Sequence, residues 1–231
     1  MNKPFIVVFT GAGVSAESGL ATFRASDGLW ENHRIEDVAS PEGWARNPLL
    51  VLDFYNQRRA QARRAEPNPA HLVIRELEQW FDVQVITQNV DNLHERAGSS
   101  KVIHLHGSLF LARGTGRNQA VLEWTDDILP GDLAEDGSQL RPHIVWFGEA
   151  VPMIEPAIEQ VMKAEAMVVV GTSLQVYPAA SLLQYLPPQH PIFLLDPNPA
   201  KAGTGRVEVF AEAASTGMHK VKDRLLEVFG I

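Results

Sequence analysis

Several groups of residues in this chain have types and spacings that could do chemistry. Gly11-Ala12-Gly13-Val14-Ser15-Ala16-Glu17-Ser18-Gly19 follows at once on the apolar run Phe5–Thr10. A strand entering a Gly-x-Gly turn is how an α/β domain brings backbone amides and a helix start up to a phosphate. The spacing is not the dinucleotide fingerprint, because the third glycine falls at Gly19 instead of position 16, and without the lysine a P-loop is excluded. A tight turn of small residues explains Gly11 and Gly13 equally well. Phe23 and Arg24 add a ring and a guanidinium to the same region. A guanidinium has an obvious use beside a pyrophosphate, although Arg24 reads equally as a surface arginine.

Thr87-Gln88-Asn89-Val90-Asp91 closes the apolar run at residues 83–86. A polar cluster at the carboxyl end of a buried strand costs desolvation unless it is paired or used. Asn89 could hold a ribose, Asp91 a carboxamide and Gln88 a hydroxyl; an Asx turn capping the next helix would employ the same residues. The run at 167–171 ends similarly in Gly171-Thr172-Ser173, which suits a phosphate, a ribose or a turn cap. In His104-Leu105-His106 the period of two puts both rings on one face if the strand continues that far. No His-x-x-x-His or Asp-x-His partner completes a metal site, so no metal is expected. A single histidine, His106, reads as a general base, and His104 as a satisfied core or turn histidine. Tyr55 and Arg58 stand three apart in a helical pattern, so phenol and guanidinium can share a face and bind a carboxylate. Together with Arg59, Arg63 and Arg64 they also read as a solvated basic face.

The elements that must position these groups alternate. Strands are expected at Phe5–Thr10, 83–87, 102–105, 144–147, 167–171 and 192–196, with an edge strand at Val207–Phe210. Helices are expected at 49–64, 69–80, 90–97, 154–164, 178–186 and 218–229, the second with Asn68 as N-cap and Pro69 at its first position. Most strands are apolar on both faces, which a helix-covered parallel sheet requires. The pattern predicts a doubly wound α/β fold with ligands at the carboxyl ends of its strands. Residues 110–142, with a Gly114-Thr115-Gly116 turn and a strand at 120–124, read as a small excursion, and residues 27–66 as a second one.

Composition sets the limits. The 231 residues suit one domain of ordinary size with an appendage, and 45% hydrophobic against 21% charged residues predicts a folded core. A net charge of -8 argues against a dedicated nucleic-acid or anionic-membrane binder. No apolar run approaches the length of a membrane span, and the N-terminus lacks a secretory pattern, so a cytoplasmic protein is expected. The absence of cysteine excludes disulfides, a cysteine nucleophile and thiolate metal sites.

With these residues in view, the chain resembles the sirtuins, NAD-dependent protein-lysine deacylases, and among them the bacterial CobB type. Gly11 to Gly19, Thr22-Phe23-Arg24 and Gly28-Leu29-Trp30 match the family's first NAD motif. Thr87 to Asp91, Leu105-His106-Gly107, Val145-Trp146-Phe147-Gly148-Glu149 and Gly171-Thr172-Ser173 match further motifs in the family's order. The resemblance covers Phe5 to about Val176 and is looser beyond.

It implies a Rossmann-like domain (1–26, 67–109 and 143–231) with a smaller domain made of a helical part (27–66) and a module (110–142). NAD, consumed as co-substrate, would touch Gly11, Ala12, Gly13, Ser15, Glu17, Phe23, Arg24, Gln88, Gly171, Thr172, Ser173, Asp196, Asn198 and Ala214. Asn89 and Asp91 would lie at the nicotinamide ribose and carboxamide and form the catalytic set with His106. Val145, Trp146, Phe147, Gly148 and Glu149 would be the strip on which the acyl-lysine backbone lies as an added strand. Tyr55 and Arg58 match the Tyr-x-x-Arg signature of sirtuins that accept succinyl- and malonyl-lysine, with deacetylation retained. In the implied chemistry the acyl oxygen attacks C1′ of the ribose as nicotinamide leaves. An alkylimidate then gives lysine and O-acyl-ADP-ribose, with His106 as base. A protein ADP-ribosyltransferase and a weakly catalytic reader of ADP-ribose or acyl-lysine are the alternatives. A monomer is expected, with acylated lysine in proteins as its partner.

The chain departs from the family in places. Most members carry zinc-binding cysteines in the module, and residues 110–142 have none, so no zinc is expected. Leu111, Val121, Leu122, Trp124, Ile128 and Leu133 are expected to replace it by packing, with Asp126 and Asp127 in a solvated loop. Asp196 stands where an asparagine is usual; an ionised Asp accepts but cannot donate to a ribose hydroxyl, and Asn198 is the candidate to compensate. Ala21 replaces a common proline.

Overall fold

The computed structural model describes residues 3–21, 29–30, 33–117, 120–199 and 205–231. Strand β1 (Phe5–Thr10) leads into a short helix, α1 (Gly13–Ala16). The antiparallel pair β2 (Leu29–Trp30) and β3 (His33–Arg34) follows, then α2 (Ile35–Val38), α3 (Pro41–Arg46) and the long α4 (Pro48–Arg64). Next come α5 (Pro69–Glu76), β4 (Asp82–Thr87), α6 (Leu93–Arg96) and β5 (Val102–His104). Strands β6 (Gly107–Gly114), β7 (Val121–Glu123) and β8 (Leu140–Ile144) precede α7 (Ile154–Val161). The chain ends with β9 (Ala166–Val170), β10 (Ile192–Leu195), β11 (Val207–Phe210) and α8 (Ala214–Phe229).

The main sheet has six parallel strands in the order β11-β10-β9-β1-β4-β5. Alternation along β1 explains why it is apolar throughout. Ile6 and Val8 face one layer with Val73, Ile74 and Leu77 and with Met218, Val221 and Leu225 of α8. Val7 and Phe9 face the other layer, with Ala157 and Val161 of α7 and Leu182 and Leu186. From β1 the chain steps outward to β4 and β5, then returns to the opposite side of β1 for β9, β10 and β11. The order therefore reverses between β1 and β9, and their carboxyl ends form the crevice in which such sheets bind ligands. Among the described residues no helix is long and apolar enough to cross a membrane.

A second, antiparallel sheet of order β7-β6-β8 stands beside α4. Helix α4 starts at Pro48, with the Asn47 side chain accepting from the Leu50 N–H (3.1 Å). It buries two sides: Val51, Phe54, Tyr55 and Ala62 pack with Val38, Leu109, Ile144 and Trp146, and Leu52 packs with Ala112, Ile128 and Leu140.

The expected α/β fold, its parallel sheet and the Asn68 N-cap are found, the cap accepting from the Ala70 N–H (2.9 Å). Some local expectations are corrected. Residues 144–147 are not a strand of the main sheet, because β8 ends at Ile144 and pairs with β6. The N–H of Val145 goes to the His106 carbonyl (2.9 Å), that of Trp146 to the Glu149 carboxylate (2.8 Å) and that of Phe147 to the Ala39 carbonyl (2.9 Å). No ladder can claim them. The helix expected at 90–97 is only Leu93–Arg96, since the Val90 carbonyl is taken by the Leu109 N–H (2.8 Å) and the Asp91 carboxylate by the Leu93 N–H (3.1 Å). At 178–186 there is a 3₁₀ segment, Ala179–Tyr185; the Ser181 N–H and hydroxyl both reach the Pro178 carbonyl three residues back (3.0 and 2.7 Å). The module's packing is also narrower than expected. Ile128 is buried and Trp124 packs against the same cluster, but Val121 and Leu122 are exposed because β7 is an edge strand open to solvent; Leu133, outside the strands, is exposed too, and Leu111 of β6 is half-buried.

Candidate functional site

At the carboxyl ends of β1, β4 and β9 lies a cleft of about 600 Å³. Every described candidate from the sequence lines it; Phe23 and Arg24 lie outside the described residues. The glycines serve close approach. A Cβ on Gly11 would stand 2.6 Å from the Thr172 Cβ, and one on Gly13 would stand 2.7 Å from the Gly171 Cα. Gly171 itself has φ +60° and packs on the Gly13–Val14 backbone. The Gly11 and Gly13 N–H groups donate to the carbonyls of Val170 (3.0 Å) and Gly171 (2.8 Å). These glycines therefore clamp two loops together at the reversal of strand order and leave neither amide for a phosphate.

The polar strand ends form one connected set. Asn89 donates from Nδ2 to the Ser15 hydroxyl (3.0 Å), and its N–H reaches the Thr87 hydroxyl (3.0 Å). Gln88 donates from Nε2 to the Thr172 hydroxyl (3.0 Å), joining the β4 end to the β9 end. Asp91 is buried, and burial pushes its carboxyl above the ordinary value against the pull of the Leu93 N–H and Ser15. Behind them the Thr10 hydroxyl donates to that of Thr87 (2.8 Å) and lies 3.0 Å from His94 Nε2. The Asx-turn reading of Asp91 is thus true of its geometry, alongside its place in the cleft.

The two neighbouring histidines differ. His106 Nδ1 is 3.0 Å from the Gln88 carbonyl, which can only accept, so Nδ1 carries the proton and Nε2 keeps its lone pair. Burial holds the ring below the ordinary histidine value, with the Gln88 carbonyl opposing that shift. His106 therefore lines the cleft as a neutral base. His104 spends both nitrogens, Nδ1 on the Asn89 carbonyl (2.9 Å) and Nε2 on the Glu95 carboxylate (2.7 Å). Burial lowers its pKa, but Glu95, the Asn89 carbonyl and Asp91 together outweigh burial, so its net value is raised. It is the satisfied histidine that was expected. Among the described residues no cluster of three or more His, Asp or Glu could hold a metal.

At the other end, Tyr55 is wholly buried and Arg58 nearly so. The Arg58 guanidinium carbon lies 4.1 Å from the Trp30 ring centroid. This side of α4 is not the solvated basic face considered above. The strip Val145 to Glu149 is fastened by side chains that spacing did not reveal. Arg141 and Arg113 both bind the Glu149 carboxylate (2.7 and 3.1 Å), and Arg141 also donates to the Ile144 carbonyl (2.8 Å). The pairing crosses strands, so only the fold shows it. Glu17 lines the cleft, but its carboxylate accepts from the Ser215 N–H (2.9 Å) and hydroxyl, capping α8 four residues before the expected start at 218. Asp196 accepts from the Asn198 N–H (2.8 Å), so Asn198 supports the loop through its backbone.

Comparison with known proteins agrees with this arrangement. The Sir2 family model matches residues 11–178. An NAD-dependent protein deacylase of Helicobacter pylori (strain ATCC 700392 / 26695) is 50% identical over 224 residues, covering 96% of this chain and 98% of that protein. A solved complex of a Sir2 homologue with NAD has a TM-score of 0.87 at 38% identity, covering 98% of this chain and 91% of the other. A Sir2 protein bound to an acetylated peptide has a TM-score of 0.77 at 28% identity, covering 99% of this chain and 94% of the other. With the family's motifs gathered in one cleft and its model matching most of the length, the chain belongs to the Sir2 family.

Proposed function

We propose that this chain is an NAD-dependent protein-lysine deacylase that removes acetyl groups and, through Tyr55 and Arg58, succinyl and malonyl groups. The observation that carries the reading is that one cleft holds a neutral histidine base, the polar strand ends, a buried Tyr–Arg pair and the 145–149 strip. The Helicobacter relative and the NAD- and acetyl-peptide-bound structures support it.

The residues present fit a dinucleotide. The cleft is within the size range of small-molecule sites, and its Gly11–Gly171 clamp keeps the floor free of side chains. NAD supplies an electrophilic ribose carbon and is consumed. Asp91, favoured toward its protonated form by burial, can both donate to and accept from a carboxamide. Asn89, fixed by Ser15, can hold a ribose hydroxyl. His106 takes a proton at Nε2 while Nδ1–H stays on the Gln88 carbonyl, so the ring changes charge without changing place. Val90, Leu109 and Ile144 give the same cleft an apolar lining, where exclusion of water strengthens each polar contact. Arg58, stacked on Trp30, supplies the charge for a dicarboxylic acyl tail.

The division into a dinucleotide half (1–26, 67–109, 143–231) and a substrate half (27–66, 110–142) belongs to the same proposal, as do a monomeric state and a cytoplasmic location. The test is mass-spectrometric, with purified protein, NAD, matched acetyl- and succinyl-lysine peptides and His106→Ala as control. NAD-dependent loss of both acyl groups with O-acyl-ADP-ribose formed, and neither in the variant, is the expected result. ADP-ribose transferred to the peptide, or NAD bound without turnover, would overturn it.

A further inference from the structure

Trp146 belongs to the strip, yet its indole reaches the acyl end of the cleft. It is 2% exposed and held on several sides. The Arg141 guanidinium carbon lies 3.1 Å from its ring centroid, and the Trp44 ring lies 5.8 Å away. Its backbone N–H is fixed on Glu149, which Arg141 and Arg113 hold in turn. So anchored, its Nε1–H donates to the Tyr55 hydroxyl oxygen at 3.1 Å. An indole nitrogen can only donate, whereas a phenol has one proton and can also accept. With the acceptor side of Tyr55 taken, the phenolic proton is turned away from the indole. Burial also keeps that proton on, holding the phenol well above its ordinary pKa.

We propose that Trp146 is a specificity-determining positioning residue: by donating to the Tyr55 oxygen it turns the phenolic proton into the acyl pocket, toward the carboxylate of a succinyl or malonyl tail. The proposal rests on the reading of Tyr55 and Arg58 as the carboxylate site. A neutral acetyl group offers no carboxylate to that proton, so its removal does not depend on the Trp146–Tyr55 bond.

The experiment compares kcat and KM for acetyl- and succinyl-lysine peptides of one sequence in the parent, Trp146→Phe, Tyr55→Phe, the double variant and Arg58→Met. Phe keeps an aromatic ring beneath Arg141 and removes the N–H together with the five-membered ring. Where Trp146→Phe does not fold, benzothienylalanine placed at position 146 by codon suppression keeps the two-ring shape and lacks the N–H. Trp146→Phe is expected to lower kcat/KM for the succinyl peptide about three- to tenfold, mainly through KM, the size of one neutral hydrogen bond. The acetyl peptide, whose backbone lies on the same strip, should lose less, so that the succinyl-to-acetyl ratio of kcat/KM falls, and Trp146→Phe should not lower that ratio further in the Tyr55→Phe background. Equal losses on both peptides, or a further fall of the ratio in that background, would overturn the proposal. If Arg58→Met abolishes desuccinylation and Trp146→Phe spares it, the carboxylate site stands and the proposal falls. If the parent does not desuccinylate and Arg58→Met changes nothing, the carboxylate site fails and the proposal with it.

Discussion

In β1, Ile6, Val7, Val8 and Phe9 lose all contact with solvent, and helices cover both faces of their sheet. Across residues 110–142, by contrast, Ala112, Ile128, Leu140 and Pro142 are the buried aliphatic side chains among the described residues. The module is held instead by polar ties from α4. Asn56 donates to the Ile128 carbonyl (3.0 Å) and accepts its N–H (2.9 Å); Arg59, wholly buried, donates to the Leu109 carbonyl (2.6 Å) and to Asn56 (2.7 Å). Arg63 reaches the Thr125 carbonyl and lies 3.5 Å from Asp127. A module with little core and no cysteine can thus be pinned by one helix whose side chains take the place of ladder partners. The sheet half derives its stability from area and the module half from hydrogen bonds, so the two halves should fail differently.

The largest expected effect leaves both halves folded. His106→Ala should lower deacylation by about a hundredfold or more, the usual share of a general base, with the thermal transition unmoved. In the parent, the acidic limb of kcat/KM should lie below the ordinary histidine range, because burial holds His106 down and the base must be neutral. A limb above that range would count against His106.

The sheet half should respond to acid. Burial pushes His71 down to about 4, and His94, whose ring lies 4.9 Å away, is lowered in the same direction. Between about pH 6.5 and 4 the unfolded chain binds a proton at His71 that the folded chain does not, so stability falls as pH falls through that window. The loss from His71 is about 3 kcal/mol, and it saturates below the folded value. Urea midpoints of the parent and His71→Gln at pH 7 and pH 4.5 measure it; parallel slopes would remove His71 as the cause.

Asn56→Ala aims at the module. Breaking its contacts with Ile128 and Arg59 should cost about 2 kcal/mol. Amide exchange should quicken across 121–140 and stay unchanged in β1, β4 and β9. Uniform quickening would erase the contrast between the halves. The smallest effect is expected from a chelator. Treatment with EDTA should leave activity and melting unchanged, and a loss restored by zinc would show a metal holding the module.

How much was legible follows the same contrast. Strands β1, β4, β9 and β10 could be read because burial on both faces writes continuous apolar runs into them. The cleft could be read because polar residues at the ends of such runs stand out, as Gln88, Asn89 and Thr172 do. The module could not. Whether Leu140–Ile144 or residues 144–147 form the strand is decided by where the Val145, Trp146 and Phe147 N–H groups find partners, and those partners are distant in the chain. For Arg58 a solvated face stays open beside the carboxylate site, and Arg59 reads only as part of that face, because their burial is set by Trp30 and by the Leu109 carbonyl. The Trp146–Tyr55 bond spans elements whose packing no local pattern encodes.

The way the chain enters and leaves the module has one more consequence. It goes out along β6 and returns along β8, with Gly114 paired opposite Leu140. Whatever lies between those residues starts and finishes on neighbouring rungs of a single ladder, so its ends are already together. Loop-closure entropy grows only slowly with length, about 0.6 kcal/mol per doubling. Where β7 and the contacts of Ile128 with α4 are kept, the stretch from 115 to 139 is therefore a place where sequence can be shortened, lengthened or exchanged at little thermodynamic cost to the rest. A lineage could drop a metal cage there, or a protein engineer could splice in a different cap, while the crevice between β1 and β9 kept its shape.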